Sequence, residues 1–397
     1  MKVMVRKGDT LWYFSQLFQI PLQLIIDSNP HKEPNVLAIG DEVNIPSFTL
    51  RPYTIKPGDM YWNIAQRFNL STDALLLVNQ HVNPNKLSIG QRIYIPISMS
   101  SGVIHTNTLY DYQALVRDID KLRQVYPFIK LNEAGKSVLN SNIPELIIGR
   151  GPKKVHWNGA FHANEWITTA IIMQFLNDYL LSLTNSGYIR GILTQKLYDS
   201  VMLSVVPMVN PDGVNLVING PPNQMPYKTK VVQINSGSMN FSDWKANIRG
   251  VDLNNQYPAN WEIEKERKKP KAPAPRDYPG DAPLTEPEAI AMEKLTEIRN
   301  FDRVLAFHTQ GEEIYWGYEG YEPPYSEAIV KEFVRVSGYK AVRYVDSHAG
   351  YKDWFIQEWR RSGFTIELGR GINPLPLSQF DEIYNKTVGI FLASMYM

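Results

Sequence analysis

One stretch of this chain is written twice. VRKGDTLWYFSQLFQI at 5–20 returns as TIKPGDMYWNIAQRFNL at 54–70, and LAIGDEVNIP at 37–46 returns as LSIGQRIYIP at 87–96. Both pairs keep one offset of 50 positions: Gly8 with Gly58, Gly40 with Gly90, Pro46 with Pro96. Such a period commits the front of the chain to two copies of one small unit. Each copy reads as a strand, a Gly-Asp turn opening a helix, a second short helix, and a strand ending at Ile-Pro. Asp9 and Asp59 are expected as helix N-caps, because aspartate leads at that position.

The GDT and GDM turns, the central asparagines Asn29 and Asn79, and the IG…IP endings resemble the LysM module, a βααβ unit. The boundaries read as 1–48 and 49–97, with a Ser/Thr/Gly-rich linker over 98–108. The resemblance implies binding to N-acetylglucosamine-containing glycan, peptidoglycan or chitin, in a shallow groove near the turn.

The remaining residues, 109–397, form a third domain large enough for its own core. A net charge of +1 gives no electrostatic case for nucleic acid or an anionic membrane. No apolar run reaches the length of a membrane span. The opening MKVMVRKGDT meets charged and turn residues at once, so no signal peptide is expected. The expected location is the cytoplasm, including the mother cell or spore layers of a sporulating cell. The chain has no cysteine, so disulfides, thiol nucleophiles and thiolate metal sites are excluded. A metal would have to be held by carboxylates and by some of the seven histidines.

The strand pattern KVHWNGAF runs into His162, and the helix pattern NEWITTAIIMQFLNDYLLSL begins with Glu165 in its first turn. A lone HxxE is a weak signal. A second strand pattern, RVLAFHTQG at 303–311, also ends in a histidine, His308. In open α/β sheets, sites gather at the carboxyl ends of strands. Two imidazoles and a carboxylate form a recognised catalytic zinc set that leaves one position for water. In a third strand pattern, GFTIELGR at 363–370, Glu367 interrupts an apolar run. A buried carboxylate needs a partner or a task, and here the task would be that of general base.

Five ordered motifs, HANE (162–165), PMVNPDG (207–213), RGVDLN (249–254), His308 and TIEL (365–368), resemble the M14 zinc carboxypeptidase family. That resemblance implies an α/β/α sandwich around a mixed, largely parallel eight-stranded sheet. It implies one zinc ion per chain on His162, Glu165 and His308, with Glu367 as catalytic base. Asp252 matches the carboxylate that orients the first histidine, and Asn254 a substrate contact. The oxyanion cation falls on Lys245 or Arg249; we favour Arg249, whose fork is the stronger donor. Tyr344 and Tyr351 both lie near the family's substrate tyrosine, and Lys352 at the base of its side-chain pocket.

The match breaks at Asn255, where the family's carboxypeptidases place the Arg that grips a terminal carboxylate. A neutral amide cannot make that charge-assisted fork. Removal of single C-terminal residues is therefore not the leading expectation. Glycan-binding modules ahead of such a peptidase point to peptidoglycan. The expected reaction is hydrolysis of the γ-D-glutamyl–meso-diaminopimelate bond of stem peptides. An ordinary metallocarboxypeptidase and a non-catalytic glycan-binding wall or spore protein remain as alternatives. A glycosidase lacks any marked pair of acids.

Overall fold

The computed structural model describes residues 1–397. The chain forms two compact units. The first comprises Met1–Ile104, Asp118–Lys130 and Asn177–Gln195, and the second His105–Arg117, Leu131–Leu176 and Lys196–Met397.

In the first unit, β1 (Lys2–Met4), α1 (Leu11–Phe18), α2 (Leu22–Asp27) and β2 (Glu42–Asn44) form one copy of the repeat. The second copy is β3 (Phe48–Thr54), α3 (Tyr61–Arg67), α4 (Thr72–Val78) and β4 (Arg92–Ser98). The strands of each copy pair antiparallel. Each copy is tied by its buried asparagine. Asn29 Nδ2 donates to Ile25 O and Asn44 O at 2.8 and 2.9 Å, while its Oδ1 accepts from Asn44 N at 2.8 Å. Asn79 repeats this with Leu75 and Tyr94. Only a side-chain amide can both donate and accept this way, so the helix end and the strand are locked together.

The expected N-caps need correction. Asp9 Oδ2 accepts from Arg6 N, and Asp59 Oδ2 from Lys56 N, both at 2.8 Å. They close the turns whose glycines have φ of +89° and +81°. Thr10 is the residue that caps α1, accepting from Tyr13 N at 3.0 Å. The aspartates stand one residue too early for that duty. The copies also dock on each other. Arg6 donates two bonds to Asp73, at 2.7 and 2.8 Å, a paired geometry stronger than a point contact.

The second unit is built on an eight-stranded sheet: β5 (Lys130–Lys136), β6 (Asn142–Ile148), β7 (Lys153–Gly159), β10 (Val201–Val206), β11 (Arg303–Thr309), β12 (Glu313–Tyr315), β13 (Lys340–Val342) and β14 (Ser362–Leu368). A two-residue hairpin pair, β8 (Tyr188–Ile189) and β9 (Ile192–Leu193), lies outside it. The spatial order is β13-β12-β14-β11-β7-β10-β6-β5. The four central strands β14, β11, β7 and β10 run parallel, and β12 and β6 flank them antiparallel. β11 is buried along its whole length. That explains its near-continuous apolar sequence, because interior parallel strands are covered on both faces.

The sheet is covered on both sides. Trp157 lies between Phe175 and Phe391, at centroid distances of 5.5 and 4.8 Å, with its Nε1 donating to Ser394 Oγ. Elsewhere Phe161, Tyr257, Tyr351 and Trp354 form a buried aromatic cluster. At Gly159, the end of β7, an added Cβ would lie 2.9 Å from Ile172 Cδ1 and 3.0 Å from Pro207 O. The missing side chain lets the following helix close over the strand end, and that end carries the site.

Candidate functional site

β7 and β11 are neighbours and parallel, with Val155 opposite Arg303 and Gly159 opposite Phe307. Their carboxyl ends therefore emerge side by side. His162 follows β7, and His308 is the penultimate residue of β11. A single turn of 3₁₀ helix, Ala163–Glu165, links β7 to α6 (Ile167–Thr184). Thr168 fastens that corner: its hydroxyl donates to Glu165 O at 2.8 Å and accepts from Ala160 N at 2.9 Å. Glu165 thus points back over the strand ends.

His162, Glu165 and His308 are all buried, and their ligand atoms lie within 4.8 Å of one another. His162 Nδ1 is 2.9 Å from Glu165 Oε1, and His308 Nδ1 is 3.0 Å from Glu165 Oε2. The two Nδ1 atoms are 3.2 Å apart. Two nitrogens held tetrahedrally by one zinc, each at about 2.0–2.1 Å, would be about 3.3 Å apart. The donor set therefore fits zinc in kind and in spacing. His162 Nε2 faces Asp252 Oδ1 at 3.2 Å, which leaves Nδ1 with its lone pair turned inward. Glu165 is held from behind as well, accepting from Thr309 N at 3.2 Å and from Asn373 Nδ2 at 3.4 Å.

The electrostatics match a site made for a cation. Burial alone would lower the His162 imidazolium, yet Glu165 and then Asp252 outweigh it and raise the group to about 9. Burial opposes ionisation of Glu165 and Asp252, but His162 and Lys245 hold both well below the usual carboxylate range. Burial lowers His308 despite Glu165. Glu367, half-buried on β14 directly opposite His308 in register, is pushed up to about 8, first by desolvation and then by the charge of Glu165.

The structure separates the two cation candidates. Lys245 Nζ lies 3.3 Å from Glu165 Oε1 and interacts electrostatically with Asp252 and Glu367. Arg249 instead points to Glu286, 3.5 Å away, in a separate cavity with Tyr227. The preference for Arg249 is therefore corrected: its side chain turns away at the Gly250 corner, and only Lys245 joins the cluster. Tyr351 is corrected too. It is fully buried, its hydroxyl is bonded to Thr296 at 2.7 Å, and its ring packs on Phe161 and Tyr257. Tyr344 is exposed, with its hydroxyl donating to Glu322.

Lys352 is no surface lysine. It is buried, donates to Gly317 O at 2.9 Å and pairs with Asp353 at 2.5 Å, so its charge is compensated inside the chain. Asn254 accepts from Tyr351 N at 3.2 Å, and Asn255 is buried beside it. Two cations near the site carry no motif in the sequence. Lys268 acts electrostatically on Asp252, and Arg276 on Lys245. Pro275 O accepts from both Lys245 N and Ala246 N, at 2.8 and 2.9 Å, which carries the loop to the site. The available signal was the RDYPG run at 276–280, a charged pair beside a turn in a loop, where functional residues concentrate.

On the repeats, large apolar residues stand exposed at matched positions. Trp12 and Trp62 are 59% and 63% exposed, and Ile39 and Ile89 70% and 71%. The same class of apolar side chain thus stands in water at the same place in both copies.

Comparison with known proteins places the chain as follows. Residues 115–388 match the zinc carboxypeptidase family model, and residues 3–46 and 53–96 each match the LysM domain. The chain is 60% identical over 397 residues, all of both proteins, to gamma-D-glutamyl-L-diamino acid endopeptidase 1 of Lysinibacillus sphaericus. It is 27% identical over 240 residues, 58% of this chain and 51% of the other, to metallocarboxypeptidase A of Trichophyton tonsurans. The crystal structure of carboxypeptidase A from Helicoverpa armigera shares the fold, with a TM-score of 0.55 at 16% identity, covering 84% of this chain and 81% of that one.

Proposed function

The chain belongs to the zinc carboxypeptidase family, with two LysM domains ahead of the peptidase, and on that premise we propose that it is a peptidoglycan peptidase hydrolysing γ-D-glutamyl–L-diamino acid bonds. The observation that carries the proposal is the convergence of His162 Nδ1, His308 Nδ1 and Glu165 on one point. Full-length identity of 60% to an enzyme named for that bond supports the substrate. In this reading the diamino acid is meso-diaminopimelate, whose second carboxylate distinguishes it from lysine.

His162, Glu165 and His308 would hold the zinc, with Asp252 fixing the first ring. The bound ion supplies Lewis-acid activation of water and of the scissile carbonyl. Glu367 takes a proton from the attacking water. The water oxygen bonds to the γ-glutamyl carbon, and the C–N bond breaks as Glu367 returns that proton to the departing amine. Lys245 stabilises the charge that develops on the carbonyl oxygen. Arg276 has only the adjacent Asp277, at 3.3 Å, for an ion-pair partner, and would meet the α-carboxylate of the γ-linked D-glutamate. This supplies the cation that Asn255 cannot.

The LysM domains hold the glycan through Trp12 and Trp62, which raises the local concentration of stem peptide. No helix is long and apolar enough to cross a membrane. Defined muropeptides, incubated with the protein and with a chelator-treated sample, test the proposal by product mass. Cleavage only between γ-D-glutamate and the diamino acid, lost with chelator and restored by zinc, is the expected result. Release of C-terminal residues from ordinary peptides would overturn it.

A further inference from the structure

The first unit carries an open cavity of about 690 Å³ that none of the exposed groove residues lines: Trp12, Trp62, Ile39 and Ile89 are all elsewhere. It is built from the same place in both repeats. Phe18, Gln19 and Ile20 face it from one copy, and Phe68, Asn69 and Leu70, their counterparts 50 positions on, from the other. Phe48, Pro96 and Ser98 come from the strands β3 and β4, and Thr184 and Asn185 from the end of α6. The volume lies inside the range of small-molecule sites, about 300–1,000 Å³.

Its chemistry is unusual for a cleft of this size. No lining residue is charged, although 20% of the chain is Asp, Glu, Lys or Arg. A charged ligand would find no counter-charge there. An apolar one would strand the amides of Gln16, Gln19, Asn69 and Asn185. The side chains of Gln16, Gln19 and Asn69 are exposed and bond to nothing else in the chain, and so keep both donor and acceptor for a ligand. Phe68, half-buried, offers a ring surface, and Phe18 and Phe48, buried and fixed edge to face at 5.0 Å, form an apolar wall. The floor is rigid: Thr184 Oγ1 donates to Ser47 Oγ at 3.0 Å, Ser47 N donates to Val125 O, and Met99 N to Ser47 O. Neutral amides and hydroxyls around aromatic faces suit an uncharged sugar, whose hydroxyl and N-acetyl groups need both bond types and whose ring face is apolar.

We propose that this cavity is a third glycan site, shared between the two repeats, which takes an uncharged N-acetylhexosamine segment of the glycan strand. It rests on the glycan-binding reading above and adds a location to it. Two groove sites and one shared site would hold a glycan strand at three points.

Calorimetric titration of the full chain with a defined oligomer of N-acetylglucosamine tests this. The parent is compared with Trp12→Ala/Trp62→Ala, with Ser98→Trp, which fills the cavity, and with Gln19→Glu/Asn69→Asp, which charges it; circular dichroism checks the fold of each. The double tryptophan variant should keep one binding event. Adding either cavity change should weaken that event at least tenfold. If the tryptophan variant loses all binding, or the cavity changes leave the residual event unaltered, the shared site is wrong while the glycan reading stands. If the parent binds neither the oligomer nor insoluble peptidoglycan, both fail.

Discussion

Trp12 and Trp62 stand more than half exposed on short helices, whereas His162, Glu165 and His308 are buried at strand ends that meet only through the sheet. The repeats place recognition on local elements: a turn, a helix and an asparagine clasp suffice, so one copy can be duplicated whole. The peptidase centre cannot be copied that way. Its ligands lie 3 and 143 residues apart, and each is held by groups from still other segments, Asp252, Thr309 and Asn373. Binding by exposed apolar side chains tolerates looseness. Chemistry needs charges fixed where water cannot relax around them.

The sharpest test of that contrast is Glu367→Gln. It should keep one zinc per chain by metal analysis and lower kcat by about 10²–10⁴-fold, the usual reach of a general base. An active variant with full metal content would remove the buried acid from the chemistry. Next comes the pair Lys245→Ala and Arg249→Ala. We expect a loss of about 10²–10³-fold for the first, typical of an oxyanion donor, and less than about threefold for the second. Equal losses would break the assignment that their positions imply. In the same assay, Arg276→Ala should raise KM with kcat little changed, because binding of a substrate carboxylate is lost in ground and transition state alike.

Buried charge also gives the peptidase domain a pH signature. Glu288 is fully buried, accepts from Val138 N at 3.0 Å, and is pushed up to about 8 by desolvation and by neighbouring Asp212. The unfolded chain titrates this group near 4.5. Between those values the native state holds a proton that the unfolded state has released. Stability contributed here is therefore full below about 4.5 and falls as pH rises to about 8. Glu288→Gln should flatten that slope and gain on the order of 2 kcal/mol relative to the parent at pH 8, measured by urea unfolding across pH. The smallest effect belongs to Trp12→Ala/Trp62→Ala: hydrolysis of intact peptidoglycan relative to a glycan-free muropeptide should fall by about tenfold or less. Loss of thermal stability instead would make these side chains structural.

Local pattern carried much of this in the sequence. The repeat offset, the histidine at the end of each parallel strand and the glutamate inside an apolar run are all short-range signals. Burial of both sheet faces makes such interruptions stand out. What stayed hidden depends on where a side chain turns after its backbone is placed. Lys245 and Arg249 lie four residues apart in one loop, and the Gly250 corner sends one to Glu165 and the other to Glu286. Tyr351 reads as a substrate contact by proximity, yet it begins a helix whose first turn faces the aromatic core. The shared cavity has no sequence mark at all, because it exists only where two repeats meet.

His308 and Glu367 sit opposite each other on β11 and β14, in a register where every second residue faces the same way. A slip of one position between these strands would turn the acid to the other side of the sheet and leave the histidine opposite isoleucine or leucine. A misassembled chain is thus inert rather than promiscuous. For a peptidase, catalytic power then arrives only with the finished fold.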